Sequence, residues 1–171
     1  RSQPRLPVTA PLRVEMLTAR LWAACLATLV VPAMPGLLAQ QSPAAITACE
    51  QGDAEARLAL GSAFAMGIEM PQASAAAGRY YELACDGDIA VACSLVGAFH
   101  EHGMGVDADP ARAAGFLTRG CDGGDLMGCN LLGALYHAGE GVEQDPQAAL
   151  ALYRRACVGN TLEGCTNLGM M

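Results

Sequence analysis

Residues 125–157 read DLMGCNLLGALYHAGEGVEQDPQAALALYRRAC, and their pattern of apolar residues, caps and glycines predicts the local structure. Apolar residues return every three to four positions in its first and last thirds, which is the spacing of two amphipathic helices. Asp125 stands where a helix N-cap is expected, and Gly139 follows the first apolar stripe. Asp145 and Pro146 open the second stripe, because proline is favoured at the first helical position. The stretch therefore predicts a helical hairpin made of a helix A and a helix B.

The hairpin recurs along the chain with a period of 36 residues and no gaps. Two sets of cysteines and one set of glycines keep this step: Cys49, Cys85, Cys121 and Cys157; Cys93, Cys129 and Cys165; and Gly61, Gly97, Gly133 and Gly169. A period of this length is typical of stacked helical hairpins, none of which can bury its apolar face alone. The sequence therefore predicts an all-α fold, an α/α solenoid with units at 53–85, 88–121, 125–157 and, truncated, 161–171.

The first two units are expected to follow the same plan, with Asp53 and Asp88 as the caps of their A helices. The repeated glycines would each cost an isolated helix about 1 kcal/mol. They therefore indicate places where helices A and B cross too closely for a Cβ atom.

The composition excludes several chemistries. All ten basic residues are arginines, so the chain has neither a Schiff-base lysine nor a Ser-x-x-Lys motif. Three Phe, one Trp and four Tyr leave the core to smaller residues, which suits closely packed helices. After residue 39, six arginines face sixteen acidic residues, a net charge of −10. Such a domain repels nucleic acid and anionic lipid and favours neutral to basic partners.

The N-terminal part is interpreted as a targeting segment. Met16 is the first methionine, so residues 1–15 are expected to be non-native upstream translation. Residues 16–39 have the order of a secretory signal peptide, with a short basic start, an apolar run and a proline break. The apolar run is too short to span about 30 Å, so no membrane span is expected after cleavage. The mature domain, 40–171, is expected in the periplasm or outside the cell.

Short motifs within the repeat carry a family resemblance. They are Leu132-Gly133, Tyr136, Gly139-Glu140-Gly141-Val142 and Ala156-Cys157. This pattern resembles the Sel1-like repeat, a relative of the tetratricopeptide repeat, over about residues 44–171. The first unit departs from it, because Glu69 replaces the second turn glycine and Arg57 stands at the second cysteine position. The chain looks like the cysteine-rich secreted bacterial branch (Hcp β-lactamase-like), several members of which are assigned as penicillin-binding proteins or weak β-lactamases.

The cysteines are expected to form disulfides between consecutive hairpins. The pairs stand eight residues apart, from the end of helix B into the next helix A: Cys85 with Cys93, Cys121 with Cys129, and Cys157 with Cys165. Exported chains meet oxidising conditions, and neither Cys-x-x-Cys nor nearby histidine spacing supports zinc ligation. Cys25 would leave with the signal peptide, so Cys49 is expected as a leftover thiol. Burial is the first expectation for Cys49, with intermolecular pairing or reactivity as alternatives.

No catalytic residue, metal or cofactor is predicted. In His100-Glu101-His102, two histidines two residues apart point in different directions on a helix, and His100 occupies an aromatic core or rim position. The glycine turns lack a third glycine and a lysine, which favours structural turns over phosphate loops. No serine of the mature domain stands in Ser-x-x-Lys or Gly-x-Ser-x-Gly. Any hydrolysis of β-lactams would therefore rest on the family resemblance alone.

The remaining candidate site is the inner face of the A helices. By analogy with tetratricopeptide stacks, the ligand-binding positions are expected to be Glu55, Ser62, Val91, Ser94, Glu101, His102, Met127, Asn130, His137, Glu163 and Thr166. Ser94, Asn130 and Thr166 stand one repeat apart and are expected to hydrogen-bond an extended peptide backbone. The glutamates favour a neutral to basic peptide.

We therefore predict an exported scaffold that binds a protein or peptide on its concave helical face. The alternative is a penicillin-binding protein or weak β-lactamase that takes a β-lactam or a peptidoglycan fragment. A bridging role in envelope assembly or stress signalling stays open beside the first interpretation.

Overall fold

The computed structural model describes residues 43–66 and 71–171. Within these residues the fold has eight helices and no strand: α1 (Pro43–Glu50), α2 (Ala54–Met66), α3 (Pro71–Cys85), α4 (Ala90–His102), α5 (Pro110–Asp122), α6 (Leu126–Ala138), α7 (Pro146–Val158) and α8 (Leu162–Met170). The predicted all-α class is confirmed. The expected signal peptide and the turn residue Glu69 lie outside the described residues, and so do residues 1–15.

The helices form successive antiparallel hairpins. α2 packs on α3, α4 on α5 and α6 on α7, and each hairpin also packs on the next. Among the A helices, α4 contacts α6 and α6 contacts α8, whereas α2 has no comparable contact with α4 and the B helices α5 and α7 have none with each other. Helices that touch within one layer and separate in the other make the A layer the inner face of the stack. Among the described residues, no helix is long and apolar enough to cross a membrane.

Aspartate caps set the starts of four helices as the sequence predicts. At the start of α2, Asp53 Oδ1 accepts from the Glu55 amide at 3.0 Å and from the Ala56 amide at 3.3 Å. The Asp125 carboxylate accepts from the Gly128 amide at 3.1 Å. Asp109 and Asp145 cap α5 and α7, each with a proline at the first helical position. Asp88 was expected to cap α4, and that prediction is wrong.

The reason is the register of the repeat. α4 is preceded by Ile89, and Asp88 lies one residue earlier with a φ of 63°. That left-handed position is Gly52, Gly124 and Asn160 in the other units, all with positive φ. An aspartate in this position serves the turn, because short polar side chains tolerate the left-handed region.

The repeated helix glycines lie where two helices cross closely. A Cβ atom on Gly97 would stand 2.5 Å from Leu117 Cγ, and one on Gly61 would stand 2.6 Å from the Tyr81 ring. Gly133 is placed in the same way against α7. The prediction of close crossings at these three positions is confirmed.

Three disulfides join the end of each B helix to the next A helix. They are Cys85–Cys93, Cys121–Cys129 and Cys157–Cys165, with Cα atoms 4.7, 4.5 and 4.4 Å apart. By chain entropy each short closure contributes about 2.5 kcal/mol, which matters in a core rich in alanine. Cys49 is buried as expected, with 1% of its surface exposed. The expectation that it is a leftover thiol is wrong, because Cys49 is disulfide-bonded.

Candidate binding surface

The inner face presents one row of exposed side chains that share a single position of helix A. Glu55, Val91, Met127 and Glu163 are the second residues of α2, α4, α6 and α8, each 36 residues from the next. All four are exposed, Val91 to 48% and Met127 to 58%. We call these four residues the front row. It has two apolar side chains in its middle and a carboxylate at each end.

The predicted polar row behind it differs from expectation. Ser94 is 2% exposed and donates to the Ala90 carbonyl at 3.4 Å. Asn130 is 9% exposed, and its Oδ1 accepts from Asn167 Nδ2 at 2.9 Å. Thr166 is exposed, but its hydroxyl donates to the Leu162 carbonyl at 2.8 Å.

Close packing explains why Ser94 is buried. Ser94 Oγ fills the space that a Cβ atom on Gly120 or on Gly128 would need, so α4, α5 and α6 meet at this hydroxyl. The expectation of a row of exposed polar groups is wrong for Ser94 and Asn130. An extended ligand could reach them only if the helices moved apart.

A third set of predicted residues lies at the other end of the A helices. His102 and His137 are exposed, and Glu101 is half-buried. Burial raises the pKa of Glu101; His102 opposes this shift, and the Glu140 carboxylate adds to it. Glu101 Oε2 is buried without a hydrogen-bond partner. Ionised Glu101 is therefore held at a free-energy cost, since a buried charge without a partner is unfavourable.

Ser62 belongs to the first A helix and is half-buried. Its hydroxyl donates to the Leu58 carbonyl at 3.0 Å and accepts from the Tyr81 hydroxyl at 3.4 Å. The Ser62 and Ser94 hydroxyls thus both donate to helix carbonyls. Neither bond activates a nucleophile, because a serine needs a base that takes its proton.

His100 lies in the core, as the sequence predicts. It is 4% exposed and stacks on Phe116 with ring centroids 5.7 Å apart. Its Nε2 lies 3.7 Å from Glu82 Oε1, and Arg112 contacts the same carboxylate at 3.4 Å. The described residues hold no group of three or more His, Cys, Asp or Glu that could bind a metal ion.

The glycine turns join consecutive repeats. A Cβ atom on Gly105 would collide with the backbone of Ser74 and Ala75, and one on Gly141 with that of Pro110 and Ala111. Each turn therefore packs on the start of the preceding B helix. The second glycine of the Gly-x-Gly-Val motif is explained by this close approach, which favours the structural interpretation of the turn.

Sequence reasoning missed a repeated arginine contact. Arg119 Nη2 donates to the Cys85 carbonyl and Arg155 Nη2 to the Cys121 carbonyl, both at 2.7 Å. The two arginines stand 36 residues apart, so the period itself carried the signal. Each cation binds the carbonyl of a disulfide cysteine in the preceding repeat.

Comparisons with known proteins agree with this architecture. A sequence model described as the Sel1 repeat matches residues 52–88, 90–125 and 126–157. No curated protein matches the chain.

Three solved structures are similar to the chain. A Sel1 repeat protein from Oxalobacter formigenes has a TM-score of 0.67 at 28% identity, over 74% of this chain and 51% of that one. The protein c5321, a protective antigen present in uropathogenic Escherichia coli strains with an SLR fold, has a TM-score of 0.68 at 29% identity, over 72% and 27%. Cysteine rich protein B (hcpB) of Helicobacter pylori has a TM-score of 0.57 at 26% identity, over 75% and 90%. The chain thus spans about half the length of the first structure.

Proposed function

The chain belongs to the Sel1 repeat family, and we propose that it is an exported scaffold whose inner helical face binds a protein or peptide of neutral to basic character. Repeats of this family typically bind proteins. The observation that carries the proposal is the front row, which exposes two large apolar side chains on A helices that pack directly together. Apolar side chains aligned on one exposed face are a common feature of interaction sites.

Charge supports the choice of partner. The domain after residue 39 carries a net charge of −10, and Glu55 and Glu163 stand at the two ends of the front row. Opposite charge steers association and selects among partners, more than it adds affinity. A neutral or basic ligand therefore suits this face better than an acidic one.

Export is supported by the cysteines. Disulfides persist in oxidising compartments and are rare in the bacterial cytosol. Three of them link consecutive hairpins, and one similar structure is a cysteine rich protein of Helicobacter pylori. We place the mature protein in the periplasm or outside the cell.

Filling the inner face tests the proposal. Ala98 and Ala134 are half-buried and stand at equivalent positions of α4 and α6. The measurement is the amount of envelope protein that is captured by cross-linking to the chain. The double variant Ala98→Arg and Ala134→Arg is expected to capture at least about tenfold less than the parent chain, because two arginines occupy the ligand's place.

The matched control adds the same two charges elsewhere. Ala111→Arg with Ala151→Arg changes exposed residues of the B helices α5 and α7. This variant is expected to capture the same partners as the parent chain. Unchanged capture by the inner-face variant, with circular dichroism showing both variants folded, would refute binding through the A helices.

The β-lactam alternative rests on family resemblance, and the bonding of Ser62 and Ser94 gives it no support. Incubation of the oxidised chain with a fluorescent penicillin and a chromogenic cephalosporin tests it directly. Covalent labelling or turnover that a serine or histidine substitution abolishes would establish the enzyme and name its residue.

A further inference from the structure

The middle of the front row has a defined spacing. Val91 and Met127 hold the same position in α4 and α6, and these helices pack directly on each other. Packed helices lie about 8–10 Å apart. Two equivalent exposed side chains are therefore separated by about that distance along the stack.

The row continues in the same register to a carboxylate. Glu163 holds the equivalent position in α8, which packs on α6, and it is exposed. At the other end, Glu55 holds the position in α2. The order along the stack is thus acid, apolar, apolar, acid.

An extended chain of one type matches this spacing. A polyproline II helix has three residues per turn and rises about 3.1 Å per residue, so residues three apart face the same side about 9 Å from each other. A β-strand places same-side residues about 6.6 Å apart, which is too short for neighbouring helices.

Resting on the proposed function, we infer that the front row binds a polyproline-II-like segment of a partner protein, with apolar side chains at positions i and i+3 and a basic residue at i−3. The apolar pair covers Val91 and Met127. The basic residue faces Glu163 on α8, which packs on α6. Because the polyproline conformation is preformed, binding costs little chain entropy.

Two peptides of the same composition test the spacing. The first, RPPLPPLPPR, has its leucines three apart; the second, RPPLPLPPPR, has them two apart. The oxidised full chain, labelled with ¹³C at the methionine methyl groups, is titrated with each peptide and followed by NMR. The first peptide is expected to shift the Met127 signal, assigned through Met127→Leu, and to bind at least about fivefold more tightly.

Matched variants test the location. Met127→Glu is expected to weaken binding of the first peptide at least about fivefold. Val158→Glu introduces the same charge at another exposed apolar residue, 83% exposed at the end of α7, and is expected to leave the affinity unchanged. The Met104 signal, from a partly exposed methionine outside the row, is expected to stay in place.

Three results would overturn the inference: equal affinity for the two peptides, equal weakening by Val158→Glu, or tighter binding of an alanine-based helical peptide with leucines at i and i+7. If one of these occurs while the inner-face arginine variant still loses its envelope partners, the inner face binds by another arrangement. If that variant also keeps its partners, the proposed function fails as well.

Discussion

The junction between α1 and α2 and the junction between α5 and α6 hold the same place in the repeat but are held together differently. At the second junction, Cys121 and Cys129 form a disulfide, and Arg155 binds the Cys121 carbonyl. At the first, Arg57 replaces the second cysteine; its Nη1 donates at 3.3 Å to the Leu83 carbonyl of α3, within its own hairpin, and its Nε is buried without a partner. The later repeats are thus joined covalently at this place, whereas α2 lacks the cysteine that such a bond needs and is held to α1 by packing.

Removing one disulfide should have the largest effect on the free energy of unfolding. Cys121→Ala with Cys129→Ala is expected to lower the free energy of unfolding by about 2.5 kcal/mol, because the unfolded chain regains loop entropy. Urea unfolding under oxidising conditions measures this change. The control repeats the measurement under fully reducing conditions, where the double alanine variant and the parent should have nearly the same free energy of unfolding.

If the oxidised parent and the double alanine variant unfold at the same urea concentration, packing alone stabilises the junction between α5 and α6. The contrast with the junction at Arg57 would then disappear.

Comparison of the first and second repeats gives the next effect. Gly120 corresponds to Ala84, which is fully buried against a neighbourhood that includes Leu58. In the second repeat Ser94 stands where the first has Leu58, and a Cβ atom on Gly120 would collide with the Ser94 hydroxyl and lie 3.0 Å from its backbone nitrogen. Gly120→Ala is therefore expected to cost about 1–3 kcal/mol, although another repeat uses alanine there.

Two controls accompany this prediction in thermal unfolding. Adding Ser94→Ala should recover part of the loss, because it removes the hydroxyl but leaves the close backbone. Gly115→Ala, in the same helix, has nothing within 4 Å of its new Cβ and should stabilise by about 0.5–1 kcal/mol. A stabilising Gly120→Ala would show that Ser94 does not limit the space.

Replacing Arg57 or Arg155 should change the free energy of unfolding by a smaller amount, and the two changes should differ. Arg155→Met removes a 2.7 Å charged hydrogen bond to the Cys121 carbonyl and is expected to cost about 1 kcal/mol, since Arg155 is largely exposed. Arg57→Met removes a cation with a buried, unpartnered Nε and is expected to be neutral or stabilising. Equal losses in urea unfolding would mean that Arg57 is as well accommodated as Arg155.

The period, caps and close crossings of this fold follow from the sequence because each depends on local spacing. A 36-residue step aligns the cysteine pairs, and Gly97 is readable as a crossing because glycine is unfavourable in a helix otherwise. The candidate binding surface could be predicted from the sequence less well than the fold. The tetratricopeptide analogy placed Ser94 and Asn130 at the surface, but glycines on neighbouring helices let α4, α5 and α6 close over Ser94.

That difference is tertiary and has no local signature. The exposure of Ser94 depends on Gly120 and Gly128, which lie 26 and 34 residues away in the chain. Val91 and Met127, in contrast, keep their predicted exposure because they stand near helix starts, where no neighbouring helix covers them. The apolar middle of the front row was therefore predictable, and the burial of the polar row was not.

The junction between the second and third repeats also carries an electrostatic cost that the first lacks, since Glu101 corresponds to Ala65. Burial raises the pKa of Glu101 in the folded protein. The folded state thus holds this proton more tightly than the unfolded chain does, so ionised Glu101 lowers stability at neutral pH. The cost vanishes as the pH falls below the unfolded-state pKa of about 4.3.

Glu101→Gln is therefore expected to raise the unfolding midpoint slightly at pH 7 and to have no effect near pH 3. Glu143→Gln changes an exposed carboxylate next to the glycine turn that contains Glu140, and it controls for net charge. An equal gain for both variants at pH 7 would mean that net charge, and not the buried Glu101 carboxylate, carries the cost.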